Sequence, residues 1–248
     1  MSSSEKSHGI EANKDWAQEK KQMGAEIMEA LWKHGCFKLG DFTLVSGRKS
    51  PYYINLREVG SYDDGGELLR RIGYSMGRMI TNEFEGVNKV VGVAYAGIPF
   101  ATAVTMATGI PCCHTRKEPK THGMVGTFVD GSFSDGDRVV ILDDLVTTGD
   151  SKLEGRDCIV NQEKVLNQER QKQRLPRIRI NVVGVACVFD REEGGAEFLK
   201  ANGLPLASLI RVREGVDQLW NKGLATDEQW RKITDHVVHY QNDSGKRA

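Results

Sequence analysis

The densest chemistry in the chain lies in Val139-Val-Ile-Leu-Asp-Asp-Leu-Val-Thr-Thr-Gly-Asp-Ser151. Val139, Val140, Ile141 and Leu142 run without polar interruption, which reads as a buried parallel strand. The run stops on two adjacent carboxylates, Asp143 and Asp144. Leu145, Val146, Thr147, Thr148, Gly149, Asp150 and Ser151 then lead into a helix-compatible segment from Lys152. That order sets backbone N–H groups and three hydroxyls at a helix N-terminus, where the dipole and unpaired donors favour an anion. Carboxylates repel phosphate, so Asp143 and Asp144 must face something else, and vicinal hydroxyls or a metal-bound sugar fit. A ribose 5-phosphate unit supplies both partners. A Walker loop is not the source of this pattern, because Gly149 is the only glycine in the stretch and Lys152 follows it too late. The plain alternative is a buried strand ending in a solvated turn.

Three other stretches carry polar groups that could serve the same ligand. Arg116-Lys-Glu-Pro-Lys-Thr-His-Gly-Met-Val-Gly-Thr127 is a basic loop punctuated by Gly123 and Gly126, the composition of a lid that closes on a polyanion. Asp190-Arg-Glu-Glu-Gly-Gly195 ends another apolar run and offers Arg191, whose guanidinium can hold a planar carboxylate bidentately. Phe37 to Arg57 reads as two short extended runs joined by the basic turn Ser46-Gly-Arg-Lys49, a small β-ribbon outside the main sheet that includes Phe42-Thr-Leu-Val-Ser-Gly-Arg-Lys-Ser-Pro-Tyr-Tyr-Ile-Asn55.

The elements that must position these residues follow from periodicity. Met23, Ile27, Ala30 and Leu31 mark a helix closing near Gly35, and Leu68, Leu69, Ile72, Met76, Met79 and Ile80 mark a second from Gly65 to Phe84. Lys89–Ala94 is a buried strand turning at Tyr95 into a helix that runs to about Thr108, and Gly109–Thr115 is the next strand. Ile178–Phe189 and Leu206–Ile210 follow the Val139 strand. Strands alternating with helices predict an α/β fold with a mostly parallel sheet and binding loops at its carboxyl edge. Thr226, with Gln229 three residues on, predicts a capping box for a C-terminal helix, and Trp220 and Trp230 are expected to pack rather than to bind. Glu154 to Arg174 is charged, glutamine-rich and ended by Pro176, an extended solvent-facing helix or surface insertion over about 154–177.

Composition bounds the partners. A chain of 248 residues suits one large domain over 13–248, after a Ser/Glu/Lys-rich start over 1–12 that reads as a disordered tail. Lys plus Arg equal Asp plus Glu at 34 each, so whole-chain charge gives no reason to expect nucleic acid or an anionic membrane. Arg170, Lys172, Arg174, Arg177 and Arg179 cluster without an aromatic platform, which argues against a nucleic-acid role. No apolar run approaches the roughly 20 residues of a membrane span, and the polar start lacks the core of a secretory signal; a soluble, cytoplasmic protein is expected. Five cysteines at 36, 112, 113, 158 and 187 show no C-x-x-C pairing, so reduced thiols are expected in place of disulfides or zinc.

The stretch from Val139 to Ser151 closely resembles the phosphoribosyl-pyrophosphate (PRPP) motif of type I phosphoribosyltransferases. The ribbon from Phe42 to Asn55, the Arg116–Gly123 loop and the Asp190–Gly195 turn are similar to the hood (here about 35–60), the catalytic loop and the base-binding turn of orotate phosphoribosyltransferases. The resemblance covers roughly residues 35 to 215. It implies transfer of a 5-phosphoribosyl group from PRPP to N1 of orotate, giving orotidine 5′-monophosphate and pyrophosphate with Mg²⁺ carried by PRPP and no direct protein ligand to the metal. A phosphoribosyltransferase for another base, or a non-catalytic PRPP-sensing protein, is the alternative.

Residue by residue, the resemblance makes Lys120, His122 and Asp144 catalytic. It assigns Tyr95, Arg116, Lys117, Lys120, His122, Asp143, Asp144 and the run Leu145, Val146, Thr147, Thr148, Gly149, Asp150 and Ser151 to PRPP. Tyr53, Ile54, Thr147 and Arg191 are assigned to orotate. A homodimer sharing the loop across its interface is implied, and an orotidylate decarboxylase is a possible separate partner. The chain departs from the family pattern at Val45 and Ala96, where lysines usually face PRPP. Arg48 or Lys49 are the candidates to replace the cation missing at Val45.

Overall fold

A computed structural model describes residues 3–44, 47–121 and 126–244, with side chains described over 15–240 within those bounds. Val45 and His122 lie outside the described residues. Among the described residues, seven helices and eight strands follow in the order α1 (Ser3–Lys33), β1 (Phe37–Thr43), β2 (Lys49–Ile54), α2 (Gly65–Glu83), β3 (Lys89–Gly92), α3 (Gly97–Thr108), β4 (Cys112–Thr115), β5 (Val129–Asp130), β6 (Arg138–Val146), α4 (Asp150–Lys172), β7 (Asn181–Asp190), α5 (Gly195–Ala201), β8 (Leu206–Arg211), α6 (Val212–Asn221) and α7 (Asp227–Ser244), with a 3-10 turn Leu56–Ser61 after β2.

Six strands form the main sheet in the order β5-β4-β3-β6-β7-β8. All neighbours are parallel except β4 and β5. The pleat sorts the apolar side chains by parity. Val90, Val140, Leu142, Ala186 and Val188 point to the face packed by α1, α2 and α3, while Val91, Val139, Ile141, Val185 and Cys187 meet Ile159 of α4 and Leu199 of α5 on the other. Each such side chain removed from water contributes roughly 1.5–3 kcal/mol. Parallel pairing also has a functional consequence: the chain leaves β3, β4, β6 and β7 at the same edge, so the loops after these strands converge there.

β1 and β2 form a separate antiparallel ribbon, as the sequence predicts. It is anchored by Phe37 and Tyr52, whose rings stack at 5.8 Å, and by Phe189 at 5.8 Å from Phe37. α7 closes the ribbon from behind, starting with the reciprocal cap in which Gln229 N donates to Thr226 Oγ1 at 3.2 Å and Thr226 N donates to Gln229 Oε1 at 2.9 Å. The Trp220 and Trp230 rings lie 5.5 Å apart between α6 and α7.

Two boundaries differ from the sequence reading. α1 begins at Ser3 and takes in the residues read as a tail, since Glu5, Lys6, Glu11 and Ala12 are helix formers that polar composition alone does not distinguish from coil. β6 does not stop at the carboxylates but runs on to Val146, because Leu145 and Val146 still pair with Phe189 and Asp190. The long helix is α4, and it is not simply solvent-facing. Gln162 and Asn167 are buried on it. Asn167 Nδ2 donates to the Ile178 carbonyl at 2.9 Å and Asn167 Oδ1 accepts from Ile178 N at 2.8 Å, which ties α4 to the approach to β7. All five cysteines are free thiols, and no helix of the described residues is long and apolar enough to cross a membrane.

Candidate functional site

The loops after β3 and β6 enclose a cleft of about 480 Å³ lined by Val93–Ala96, Asp143–Leu145 and Thr147–Lys152, with Arg57, Lys117 and Glu154 at its margins. Its floor is the end of β6. Asp143 and Asp144 are both buried, and each turns one carboxylate oxygen back on the chain. Asp143 Oδ1 accepts from Asp144 N at 2.9 Å, and Asp144 Oδ1 accepts from Leu145 N at 2.7 Å. Asp143 is neutralised by Lys152, Nζ to Oδ2 at 2.7 Å. Among the described residues Asp144 has no such ion pair, Lys152 acting on it only at longer range. Burial, then the charge of Asp143, pushes its carboxyl up to about 7. A carboxyl whose proton affinity is raised in this way, in a cleft, is a candidate for contact with a hydroxyl or a cation.

The loop above this floor is fixed at both ends. Gly149 adopts a left-handed φ of 92° as it caps α4, a conformation that costs a side chain strain and costs glycine none. The carbonyl of Gly149 accepts from Lys152 N at 3.0 Å and Leu153 N at 3.3 Å, and the preceding N–H groups, of Asp150 and Ser151 on the cleft lining, have no intrahelical acceptor at a helix start. Thr148 Oγ1 donates to Asp150 Oδ2 at 2.6 Å. Lys152 reaches back from the first helical turn to the Leu145 carbonyl at 2.7 Å. It therefore spans the loop from behind, a role invisible in sequence because its partners lie seven and nine residues upstream. Against the outer side of the loop, a Cβ on Gly195 would meet the Thr147 carbonyl oxygen at 2.5 Å. The second glycine of the Asp190–Gly195 turn is thus what lets α5 press on the Thr147–Ser151 loop.

Of the basic loop after β4, Lys117 borders the cleft, its ammonium 5.0 Å over the ring of Tyr95. Tyr95 itself is 70% exposed. Arg116 is turned aside and pairs with Asp130 at 2.5 Å, and neither Arg116 nor Lys120 lines this cleft. The root of the loop is held by backbone bonds from Lys120 N to the Thr127 carbonyl at 3.0 Å and from Gly126 N to the Lys120 carbonyl at 2.8 Å. Gln162 of α4 secures the far end, its Oε1 accepting from Phe128 N at 2.8 Å and Val129 N at 3.2 Å.

The residues assigned to the base are spread more widely. Thr147 lines the cleft, while Tyr53, Ile54 and Arg191 lie outside its lining. Tyr53 is half exposed beside Phe42, and Ile54 is buried. Arg191 is 4% exposed: Nε donates to Glu193 Oε1 at 2.8 Å, a terminal nitrogen donates to Ser50 Oγ at 3.2 Å, and the guanidinium covers the Tyr52 ring at 4.7 Å. Burial pushes the Glu193 carboxyl up, yet His236, Arg191 and Arg48 together hold it down at about 2. The Asp190–Gly195 turn is therefore tied to the β1–β2 ribbon, Arg191 donating to Ser50 Oγ, Tyr52 Oη to Glu193 Oε1 at 3.2 Å and Arg48 pairing with Glu193. Arg48 and Lys49 both belong to this hood assembly, Arg48 bonded to Glu193 at 2.9 Å and Lys49 to Thr43 Oγ1 at 2.7 Å. Neither lines the cleft, so neither replaces a missing lysine there.

No family model matches the chain. Curated relatives do. An orotate phosphoribosyltransferase of Clostridium botulinum is 31% identical over 233 residues, covering 87% of this chain and 96% of that protein. One of Thermoplasma volcanium is 33% identical, covering 76% and 98%. Among solved structures, orotate phosphoribosyltransferase of Mycobacterium tuberculosis is 31% identical with a TM-score of 0.59, over 78% of this chain and 98% of its own. The UMP synthase of Leishmania donovani is 25% identical with a TM-score of 0.69, over 87% of this chain and 42% of that longer one. With relatives above 30% identity matched over nearly their whole length, the chain belongs to the orotate phosphoribosyltransferase family.

Proposed function

We propose that the chain transfers the 5-phosphoribosyl group of PRPP to orotate, releasing pyrophosphate and forming orotidine 5′-monophosphate. The observation that carries this reading is the juxtaposition, in one cleft, of a buried carboxylate pair and a helix-capping hydroxyl loop. The first-turn N–H groups of α4 with Thr147, Thr148 and Ser151 hold the 5-phosphate. Asp143 and Asp144 take the ribose hydroxyls, and their charge favours the positive character that builds at the anomeric carbon as the bond to pyrophosphate breaks. Lys117 meets the departing diphosphate, and Lys120 with His122 closes over it. Arg191 and the hood orient the base.

Mg²⁺ carried by PRPP would supply part of the charge neutralisation on the diphosphate in this scheme. An ion of this kind is commonly bound through substrate phosphate oxygens and water and not in an all-protein cage, so the proposal gives it no direct protein ligand. Among the described residues Lys120 does not line its own chain's cleft, which supports a homodimer in which the loop serves the partner's site. A soluble cytoplasmic enzyme working beside a separate orotidylate decarboxylase completes the proposal.

Loss of orotate absorbance with PRPP and Mg²⁺ is the direct assay. The purified chain is expected to turn over, and Lys120→Ala to lose roughly 10²-fold or more in kcat, the scale of one removed charge-stabilising donor. An inert wild-type protein would sink the assignment, while a fully active variant would remove Lys120 from the mechanism. Uracil and the purines as competing acceptors test whether orotate is the base.

A further inference from the structure

The cleft that receives PRPP has an unfavourable charge inventory. Its described lining holds four carboxylates, Asp143, Asp144, Asp150 and Glu154, against three cations, Arg57, Lys117 and Lys152. Lys152 is buried and already committed to Asp143 and the Leu145 carbonyl. Ala96 offers only a methyl group at the wall beneath Tyr95, and Arg48 and Lys49 face the hood. A polyanion entering this space thus finds Lys117 and one other uncommitted cation on the described lining, Arg57.

The fold aims Arg57 there. In the 3-10 turn Leu56–Ser61, residues three apart share a face, and Leu56 and Val59 are both buried in the core. Arg57 stands between them on the outward face and is exposed. Its backbone N–H is held by Asn55 Oδ1 at 3.3 Å, which fixes the start of the turn at the end of β2. Its guanidinium has no ion pair among the described residues. A smaller, mostly apolar recess of about 240 Å³ adjoins the cleft, and the residues common to the linings of both are Arg57, Tyr95 and Ala96. Arg57 therefore sits on the Tyr95–Ala96 side, with Lys117, away from the Thr147–Ser151 loop that takes the 5-phosphate.

On the proposed reading of the site as one for PRPP, we infer that Arg57 binds the diphosphate of PRPP and supplies the cation that Ala96 does not. A guanidinium suits the task, since it can hold two phosphoryl oxygens at once and keeps its charge at any working pH. The hood turn thereby contributes to the leaving group as well as to the base.

The test is Arg57→Ala and Arg57→Lys in the full-length chain, read by steady-state kinetics and by calorimetric titration with PRPP and with pyrophosphate. For Arg57→Ala the KM for PRPP and the inhibition constant for pyrophosphate are expected to rise roughly 10- to 100-fold, the range for losing hydrogen bonds to a charged group. The KM for orotate and the melting temperature should stay as in wild type, and Arg57→Lys should recover part of the loss. Unchanged PRPP and pyrophosphate affinities would overturn the inference. So would parallel losses for both substrates with a lowered melting temperature, which would mark Arg57 as structural. If the wild type binds PRPP but does not turn over, the enzyme assignment falls, and calorimetry on the variants still decides the role of Arg57.

Discussion

Asp144 is the residue whose state should govern how the cleft responds to pH. Burial and the adjacent charge of Asp143 raise its carboxyl from an ordinary 3.8 to about 7. A carboxyl raised on folding binds a proton that the unfolded chain has released. Its stabilising contribution is complete below about pH 4 and is lost as pH rises through 7. Glu193 runs the other way: held at about 2, it stabilises above its ordinary 4.5 and loses that contribution only in strong acid. Asp144→Asn keeps an oxygen able to accept from Leu145 N and removes the buried charge. The variant should melt higher than wild type at pH 8 and no higher at pH 4. On the proposed role of Asp144 as acceptor of the ribose hydroxyls, kcat/KM of the wild type for PRPP should fall as pH drops below 7, because ionised Asp144 is then the binding form. That acid limb should vanish in the variant along with most of the activity; a limb of the same midpoint in Asp144→Asn would assign it to another group.

At the scale of elements, α4 does more than begin at the phosphate loop. Its fourth turn delivers Gln162 to the root of the basic loop, where one buried oxygen serves two backbone donors. Gln162→Leu preserves bulk but strands both N–H groups at roughly 1–3 kcal/mol each. Amide exchange at Phe128 and Val129 should accelerate, and kcat should fall although the substitution lies outside the cleft lining. Unaltered protection at those two amides would show the loop is held by other means. This coupling also marks the limit of what the chain discloses unfolded. The carboxylate pair, the hydroxyl loop, the hood ribbon and the Thr226–Gln229 cap were legible because their chemistry is contiguous or repeats at fixed short spacing. Gln162, Asn167 and Lys152 were not, since a glutamine, an asparagine and a lysine in a charged helix look solvated until the partner backbone, up to 34 residues away for Gln162, is placed beside them. Arg57 was passed over for the same reason, its cleft-facing position depending on the burial of Leu56 and Val59.

For the molecule as a whole, the parallel sheet explains why the chain after β3, β4 and β6 converges on one cleft, and that much follows from alternating strands and helices. The placement of Lys120 outside its own cleft does not follow, because a loop's reach is set by tertiary geometry. It bears directly on assembly. If the loop of one protomer closes on the cleft of another, the catalytic lysine and the carboxylate floor of each site come from different chains. Lys120→Ala and Asp144→Asn should then be inactive separately and complement when mixed and allowed to exchange subunits. In a two-fold symmetric dimer, half the molecules become heterodimers at equal mixing, and each of these carries one site free of both lesions and one with both. Activity should return to about a quarter of wild type. Dilution below the dimer dissociation constant should abolish it. If each loop serves its own chain, every site in the mixture keeps one lesion whatever the pairing, and no activity returns. A stable dimer by sedimentation with no recovery after demonstrated exchange would therefore place Lys120 in its own protomer's site and require the loop to swing inward on binding PRPP.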